Sequence, residues 1–333
     1  NSKLKNRLMA QLYAVKSLLD QGEVFTKRVR FIFGTDEETL WRCMNRYNQI
    51  EEKADLGFAP DSSFPLTYAE KGLLQVKLHG PGWEDRPLQA GHALNVVPDK
   101  ATYSGQRLEE LLPVIEQSGV NYTEELGAVT VLGLSKHSKD AAEGVNAIVG
   151  LAESLSLIQP HPALLFIADA VGEDATGGAL FGEIKDEPSG TLSFNIATLS
   201  IDEERSEIGI DIRIPVLADK DALVERLIEL ASSYQLGYEE FDYLAPLYVP
   251  LDSPLVSTLM AVYQEETGDL TPAMSSGGAT FARTMENCVA YGALFPGALQ
   301  TEHQANERAK LEDLYDAMEI YAETIRRMAT KND

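Results

Sequence analysis

Three carboxylates stand side by side in Gly34-Thr35-Asp36-Glu37-Glu38, directly after an apolar run at residues 29–33. Like charges this close raise one another's pKa unless a cation sits among them. A divalent ion would remove that cost and let one carboxylate hold metal while its neighbour handles a proton. The same residues also read as a helix start, because Thr35 and Glu38 match a capping box and acidic side chains suit a helix N-terminus. Asp61, in Phe58-Ala59-Pro60-Asp61, is either a second acid at the same sheet edge or a turn aspartate beside proline. His303 lies in Thr301-Glu302-His303-Gln304-Ala305-Asn306-Glu307, between a strand expectation and the last helix. One imidazole and several carboxylates at strand ends suit a zinc-type site with N and O ligands.

A second group suits anion binding. Ser135-Lys136-His137-Ser138 falls between a strand and a helix, where an imidazole can donate to a polarised carbonyl. Arg213, after Ile210 and Ile212, is either a partner for a carboxylate or a surface strand residue with its stem packed flat. Asn95 is an amide donor or a turn residue, and Gly277-Gly278 with Thr280 is a backbone N–H cradle or a plain tight turn. His79, His92 and His161 read as structural or surface residues.

Positioning these groups falls to elements that the pattern locates. Leu8, Leu12, Val15 and Leu19 recur at helical spacing, with Gly22 as the cap. Residues 29–33 read as a buried strand, 39–48 as a helix with Leu40, Met44 and Tyr47 on one face, and 57–60 as a short strand. That rhythm is α/β with a parallel sheet. The middle changes to α+β, with strands at 72–79, 128–134, 191–198 and 207–215 and helices at 140–156 and 220–234. A loose echo between 72–99 and 128–215 suggests two half-domains of similar build. The α/β rhythm returns with a helix at 253–266, a helix start at 279–285, a strand at 289–295 and a long helix at 311–329. The last presents Leu314, Met318, Tyr321, Ile325 and Met328 on one face. The simplest architecture is one α/β domain built from both ends of the chain, with an α+β domain inserted.

The 333 residues carry 28 Lys and Arg against 52 Asp and Glu, a net charge of −24. Such a chain is repelled by phosphate backbones and anionic lipid, which disfavours nucleic acid and membrane as partners. No apolar run approaches the roughly 20 residues that span a bilayer. Two cysteines, Cys43 and Cys288, make no disulfide framework, so a reducing, cytoplasmic setting is expected.

Several motifs now stand in a fixed order: Gly34–Glu38 (34–38), 58–65 with Glu70-Lys71-Gly72, 133–137 with Glu143-Gly144-Val145-Asn146-Ala147, 278–283, and 293–296 with 303–307. In that order they resemble the PepV-like dipeptidases of the aminoacylase/carnosinase family of dinuclear zinc metallopeptidases. The resemblance covers nearly the whole chain. It implies a discontinuous catalytic domain, 1–72 and 246–333, with a mostly parallel sheet flanked by helices. It also implies an inserted α+β lid domain of two half-lids at 73–245 that closes over substrate. Carried over residue by residue, Glu37 matches the general base, Glu38, Asp61 and His303 match metal ligands, and His137 and Asn95 match groups that polarise the scissile carbonyl. Arg213 and the Gly278-Ala279-Thr280 turn match the grip on the substrate's C-terminal carboxylate. The implied cofactor is two Zn2+ per subunit, with Co2+ or Mn2+ as substitutes, and the implied substrate is a small peptide bound by a monomer.

The family also carries an upstream His-x-Asp and a bridging Asp before its first helix. Here Lys3, Leu4, Lys5, Asn6 and Arg7 stand at the latter place, and no histidine precedes Glu37. Retention of Glu37, Glu38, Asp61 and His303 favours the expectation that the remaining ligands lie on a segment upstream of Asn1. The competing readings are a deacylase or desuccinylase of N-acyl amino acids, and a non-catalytic peptide-binding relative.

Overall fold

The computed structural model describes residues 2–36, 41–298, 301 and 308–331, with side chains from residue 8 onward. The chain divides into two units, Asn1–Glu70 with Leu247–Asp333, and Lys71–Pro246.

In the first unit the helix Ser2–Asp20 packs on the helix Leu311–Ala329. The expected stripe Leu8, Leu12, Val15, Leu19 is not the buried face: Ala10, Gln11, Ala14 and Leu18 are buried, while Leu12 and Leu19 are exposed. Small residues let two helix axes approach closely, and Ala10 and Ala14 supply them here. Ser253 caps the helix Pro254–Thr267 by accepting from Val256 N at 3.2 Å. An aromatic cluster of Phe58, Phe64, Tyr263, Tyr291 and Tyr321 fills the space between these helices and the strands. Tyr291 and Tyr321 bury their hydroxyls by donating to Leu259 O and Tyr291 O at 2.9 and 3.0 Å.

The strands of this unit are short. Gly57–Ala59 runs parallel to Cys288–Ala290, Met274–Ser276 parallel to Thr67–Glu70, and Ser62–Ser63 parallel to Ala293–Leu294. Leu247–Tyr248 and Cys288–Ala290 meet Thr67–Glu70 antiparallel, so the sheet is mixed. Residues 29–33 overturn the expectation of a buried strand. They form no helix or strand and belong to no ladder among the described residues, and Phe33 is 54% exposed. An apolar run becomes a strand only when a neighbour presents an edge to it. The expected helix at 39–48 is Arg42–Ile50, and that at 279–285 shrinks to a single 3-10 turn, Phe281–Thr284.

The second unit is built on an antiparallel sheet in the order Gly237–Leu244, Gly72–Pro81, Arg205–Ile214, Ser193–Ile201, Leu88–Ala90. Period-two alternation puts Leu74, Val76 and Leu78 opposite Ile212, Ile210 and Ile208 on one face. That face packs on the helices Ala147–Ile158 and Lys220–Ser233. The expected helix at 140–156 is interrupted at Gly144: a 3-10 segment, Ser138–Glu143, precedes a true helix capped by Asn146. A second sheet joins Lys100–Tyr103, Ala128–Leu132 and Tyr122–Glu125. The echo of two similar halves does not survive. One sheet has five strands and the other three, strand 72–81 pairs with 205–214 across the supposed halves, and one core spans both sheets.

His161 caps the helix Pro162–Leu165 through Nδ1, which accepts from Ala163 N at 3.2 Å, while Nε2 lies 3.1 Å from Pro81 O. The neutral ring with its proton on Nε2 satisfies both contacts. Burial pushes its pKa down. The unfolded chain therefore takes up this proton first as pH falls. The stability that neutral His161 contributes is present above its unfolded pKa of about 6.5 and is lost as pH drops through the lowered folded value. We expect His161→Asn, which keeps a capping acceptor without a titratable ring, to flatten the decline in Tm between pH 7 and 5. Parallel Tm curves for the two proteins would contradict this.

Candidate active site

Asp61 follows the strand Gly57–Ala59 and sits between two parallel pairings, Ala59 with Ala290 and Ser62 with Ala293. Backbone bonds from Tyr291 N to Ala59 O and from Ser62 N to Gly292 O, 2.9 and 2.7 Å, close the ladder on both sides of it. Its place is thus the carboxyl end of a parallel strand, where α/β sheets carry their sites. Gly34 packs against the ring of Phe281: a Cβ there would fall 2.1 Å from Phe281 Cε2, so any larger residue would require that ring to move. Asp36 turns to the helix Arg42–Ile50, with Oδ2 accepting from Arg42 N at 2.8 Å and Oδ1 from Cys43 N at 3.2 Å. The Cys43 side chain and these N–H groups hold the Asp36 carboxyl below the usual range. Glu37, Glu38 and His303 lie outside the described residues.

The ligand set implied for zinc is Glu38, Asp61 and His303, whose N and O atoms suit that ion. Asp61 is its one described member, and among the described residues no three His, Cys, Asp or Glu side chains come together as a metal site. The described residues alone therefore do not make a metal centre.

The Gly278-Ala279-Thr280 turn does hold a carboxylate, but it is the chain's own. Glu70 accepts from Thr280 N at 3.0 Å, Thr280 Oγ1 at 2.7 Å and Arg283 Nε at 3.1 Å, and Arg283 Nη2 donates to Gly278 O at 2.8 Å. Gly278 N donates to Ser276 Oγ at 2.9 Å. This corrects the expectation that Gly278 and Thr280 offer their N–H groups to a substrate: both are spent inside the fold, with Ala279 held between them. Burial drives the Glu70 carboxyl pKa upward, and Arg283 and Thr280 oppose it.

In the second unit the structure brings Asn95, His137 and Arg213 to one region. Segments 95–97 and 136–138 lie antiparallel through a bridge between Val96 and His137, with Ser138 N donating to Asn95 O and Val97 N to Lys136 O. Gly133 lets the neighbouring chain at Val145 lie against it, where Leu134 and Val145 form a second bridge, since a Cβ there would meet Val145 O at 2.1 Å. Polar side chains on the sheet bind both segments. Asn195 Nδ2 donates to Val96 O and Ser138 Oγ at 2.9 and 2.8 Å, Ser193 Oγ to Ser138 O at 2.5 Å, and Ser138 Oγ to Leu94 O at 3.0 Å. Asn146 Nδ2 in turn donates to Asn195 Oδ1 and Ile196 O at 3.1 and 2.7 Å.

His137 Nδ1 accepts from Lys139 N at 3.1 Å, so the neutral ring carries its proton on Nε2. Desolvation first, and the Arg213 cation second, push its pKa down, which keeps it neutral near pH 7. Arg213 is not the surface strand residue of the alternative reading. It is buried and paired with fully buried Asp211, Nε to Oδ1 at 2.6 Å and Nη2 to Oδ2 at 3.0 Å. Gln75, Asn195 and Asp211 were missed in the sequence. The signal for Asp211 was present: in Ile210-Asp211-Ile212-Arg213-Ile214 two opposite charges two apart share one face of an apolar strand.

The sequence profile of peptidase family M20/M25/M40 matches residues 4–327. The Bacillus subtilis (strain 168) protein named "Putative dipeptidase YtjP" is 35% identical over 98% of this chain and 74% of its own length. A Staphylococcus aureus (strain MW2) protein of the same designation is 30% identical over 96% of this chain and 74% of its own. Among solved structures, aminopeptidase PepT from Bacillus cereus ATCC 10987 aligns with a TM-score of 0.55 at 15% identity, over 97% of this chain and 70% of that one. Human carnosine dipeptidase 1 aligns at 0.52 and 12%, over 97% and 72%. At those identities the likeness is one of fold, a mixed α/β architecture. No helix among the described residues is long and apolar enough to cross a membrane.

The Glu70–Arg283 pair, both ends almost fully buried, yields an expectation for stability. Removing one partner strands a charge, so Arg283→Met should lower the unfolding free energy by about 3–5 kcal/mol. Glu70→Gln with Arg283→Met should cost clearly less than the two single losses added. Urea unfolding of the four proteins measures the coupling, and additive losses would show that the pair acts as two independent groups.

Proposed function

Because the chain belongs to peptidase family M20/M25/M40, we propose that it hydrolyses dipeptides carrying a free C-terminal carboxylate, in the manner of a PepV-like dipeptidase. The observation that supports this most is the grouping of an amide, a neutral imidazole and a guanidinium, Asn95, His137 and Arg213, on one polar region of the second unit.

His137 Nε2–H is the donor left once Nδ1 has accepted the Lys139 N–H, and it donates to the scissile carbonyl oxygen. That bond strengthens as negative charge builds on the oxygen, which is what lowers the barrier. Asn95 supplies a second donor to the same oxygen. Arg213 takes the C-terminal carboxylate of the peptide, an arrangement favoured by the charge and planar fork of the guanidinium. Glu37 removes a proton from the attacking water and returns it to the leaving amine. Within this proposal Glu38, Asp61 and His303 hold divalent metal, two zinc ions or cobalt or manganese in their place. When bound, such ions lower the pKa of water and polarise the carbonyl. Lys71–Pro246 then serves as the lid domain and the remainder as the catalytic domain.

The deciding experiment is hydrolysis by the full-length protein of a panel of dipeptides, their C-terminal amides and N-acyl amino acids, with and without chelator. Dipeptide cleavage that chelation abolishes and zinc restores is the expected result. Preference for N-succinyl or N-acetyl amino acids would move the protein to the deacylases, and no cleavage of any member would end the proposal. In the active enzyme, His137→Ala should lower kcat by about 10²–10³, the loss typical for one oxyanion donor. KM should change less and Tm should stay within a few degrees. A kcat within threefold of the parent would remove His137 from the mechanism.

A further inference from the structure

We propose that Asp211 is a positioning residue for substrate: it fixes the plane and direction in which the Arg213 guanidinium takes the peptide's C-terminal carboxylate. This rests on the reading of Arg213 given above.

The geometry is that of a clamp. Asp211 and Arg213 lie two residues apart on the strand Arg205–Ile214 and share a face. Both oxygens of Asp211 are engaged by Arg213, through Nε at 2.6 Å and Nη2 at 3.0 Å. Oδ2 also accepts from Gln75 Nε2 at 2.9 Å, and Gln75 stands directly opposite on the neighbouring strand. The carboxylate thus cannot swing, and a guanidinium held along its Nε–Nη2 side cannot turn about its own stem. A free arginine would have to be ordered each time substrate bound, and a pre-ordered one need not be.

Two observations argue against a purely structural pair. Apolar residues of similar volume would fill buried strand positions at least as stably as a buried ion pair. The opposite face of this strand already supplies Ile208, Ile210, Ile212 and Ile214 to the core. Arg213 also lies close enough to His137 to lower its pKa, which puts the clamped cation beside the donor assigned to the carbonyl.

Asp211 could act in the opposite sense, as an anion competing with the substrate carboxylate for Arg213. The sign of one measurement separates the two. Replacing Asp211 by Asn leaves the Oδ1 acceptor but loses the second one and the charge, so a clamp loosens whereas a competitor is removed. Loss of a charge-assisted hydrogen bond is worth about tenfold or more. We therefore expect Asp211→Asn to raise KM for a free-carboxylate dipeptide about tenfold while kcat moves less, and to shrink the preference for that dipeptide over its C-terminal amide. Gln75→Leu, which removes the brace on Asp211, should shift both readouts in the same direction to a smaller extent, and it carries the test if Asp211→Asn fails to fold. An unchanged or lowered KM in the folded variants overturns the clamp. Arg213→Met is the control for the underlying reading. If it leaves the carboxylate preference intact, Arg213 does not hold the carboxylate and the inference falls with that reading. If it erases the preference while Asp211→Asn and Gln75→Leu retain it, the inference alone falls.

Discussion

A charge taken out of water must be met by hydrogen bonds inside the protein, and the polar face of the five-stranded sheet is organised by that constraint. Asp211 and Arg213 satisfy each other, Gln75 adds a third bond, and Asn195 and Ser193 continue the row across the next strand. Because Asn195 and Ser193 spend their donors on Val96 and Ser138, the segments carrying Asn95 and His137 are tied to the same row. The opposite face of the sheet is apolar. Each buried Leu, Ile or Val there is worth about 1.5–3 kcal/mol, so the cohesion of the unit comes from that side. The polar side contributes orientation more than stability.

The first unit applies the same rule at a different place. Glu70 would be untenable in the core without Thr280 and Arg283, and in satisfying it those residues fix the turn that begins at Gly278. A chain of net charge −24 has few cations to bury, yet Arg213 and Arg283 are both nearly inaccessible and both face acids. Each is bound through Nε, the nitrogen that fixes the guanidinium plane.

What the sequence made legible follows the range of each interaction. The helices Pro254–Thr267, Lys220–Ser233 and Leu311–Ala329 were readable because periodicity and capping are local. The run at 29–33 misled, since whether an apolar segment becomes a strand depends on a partner that its own residues do not specify. The first helix was found but its buried face was not: choosing Ala10 and Ala14 over Leu12 requires knowing that another helix approaches closely. Asn95, His137 and Arg213 could be singled out by type and motif, whereas their common support could not. Asn195 acts across strands, and Glu70 meets Arg283 from 213 positions away. Asp211 is intermediate, visible as a charge pair on an apolar strand once the alternation is taken literally.

The structure also gives the first of the three adjacent acids a backbone role. A carboxylate whose oxygens are both committed to N–H donors is a poor base and a poor ligand, because each new role costs an existing bond. Asp36 is in that condition, with one oxygen on Arg42 N and the other on Cys43 N. The helix N-terminus therefore receives an acidic cap from Asp36, five residues ahead of Trp41. Of the three adjacent acids, the first is thereby committed to the backbone at the start of that helix.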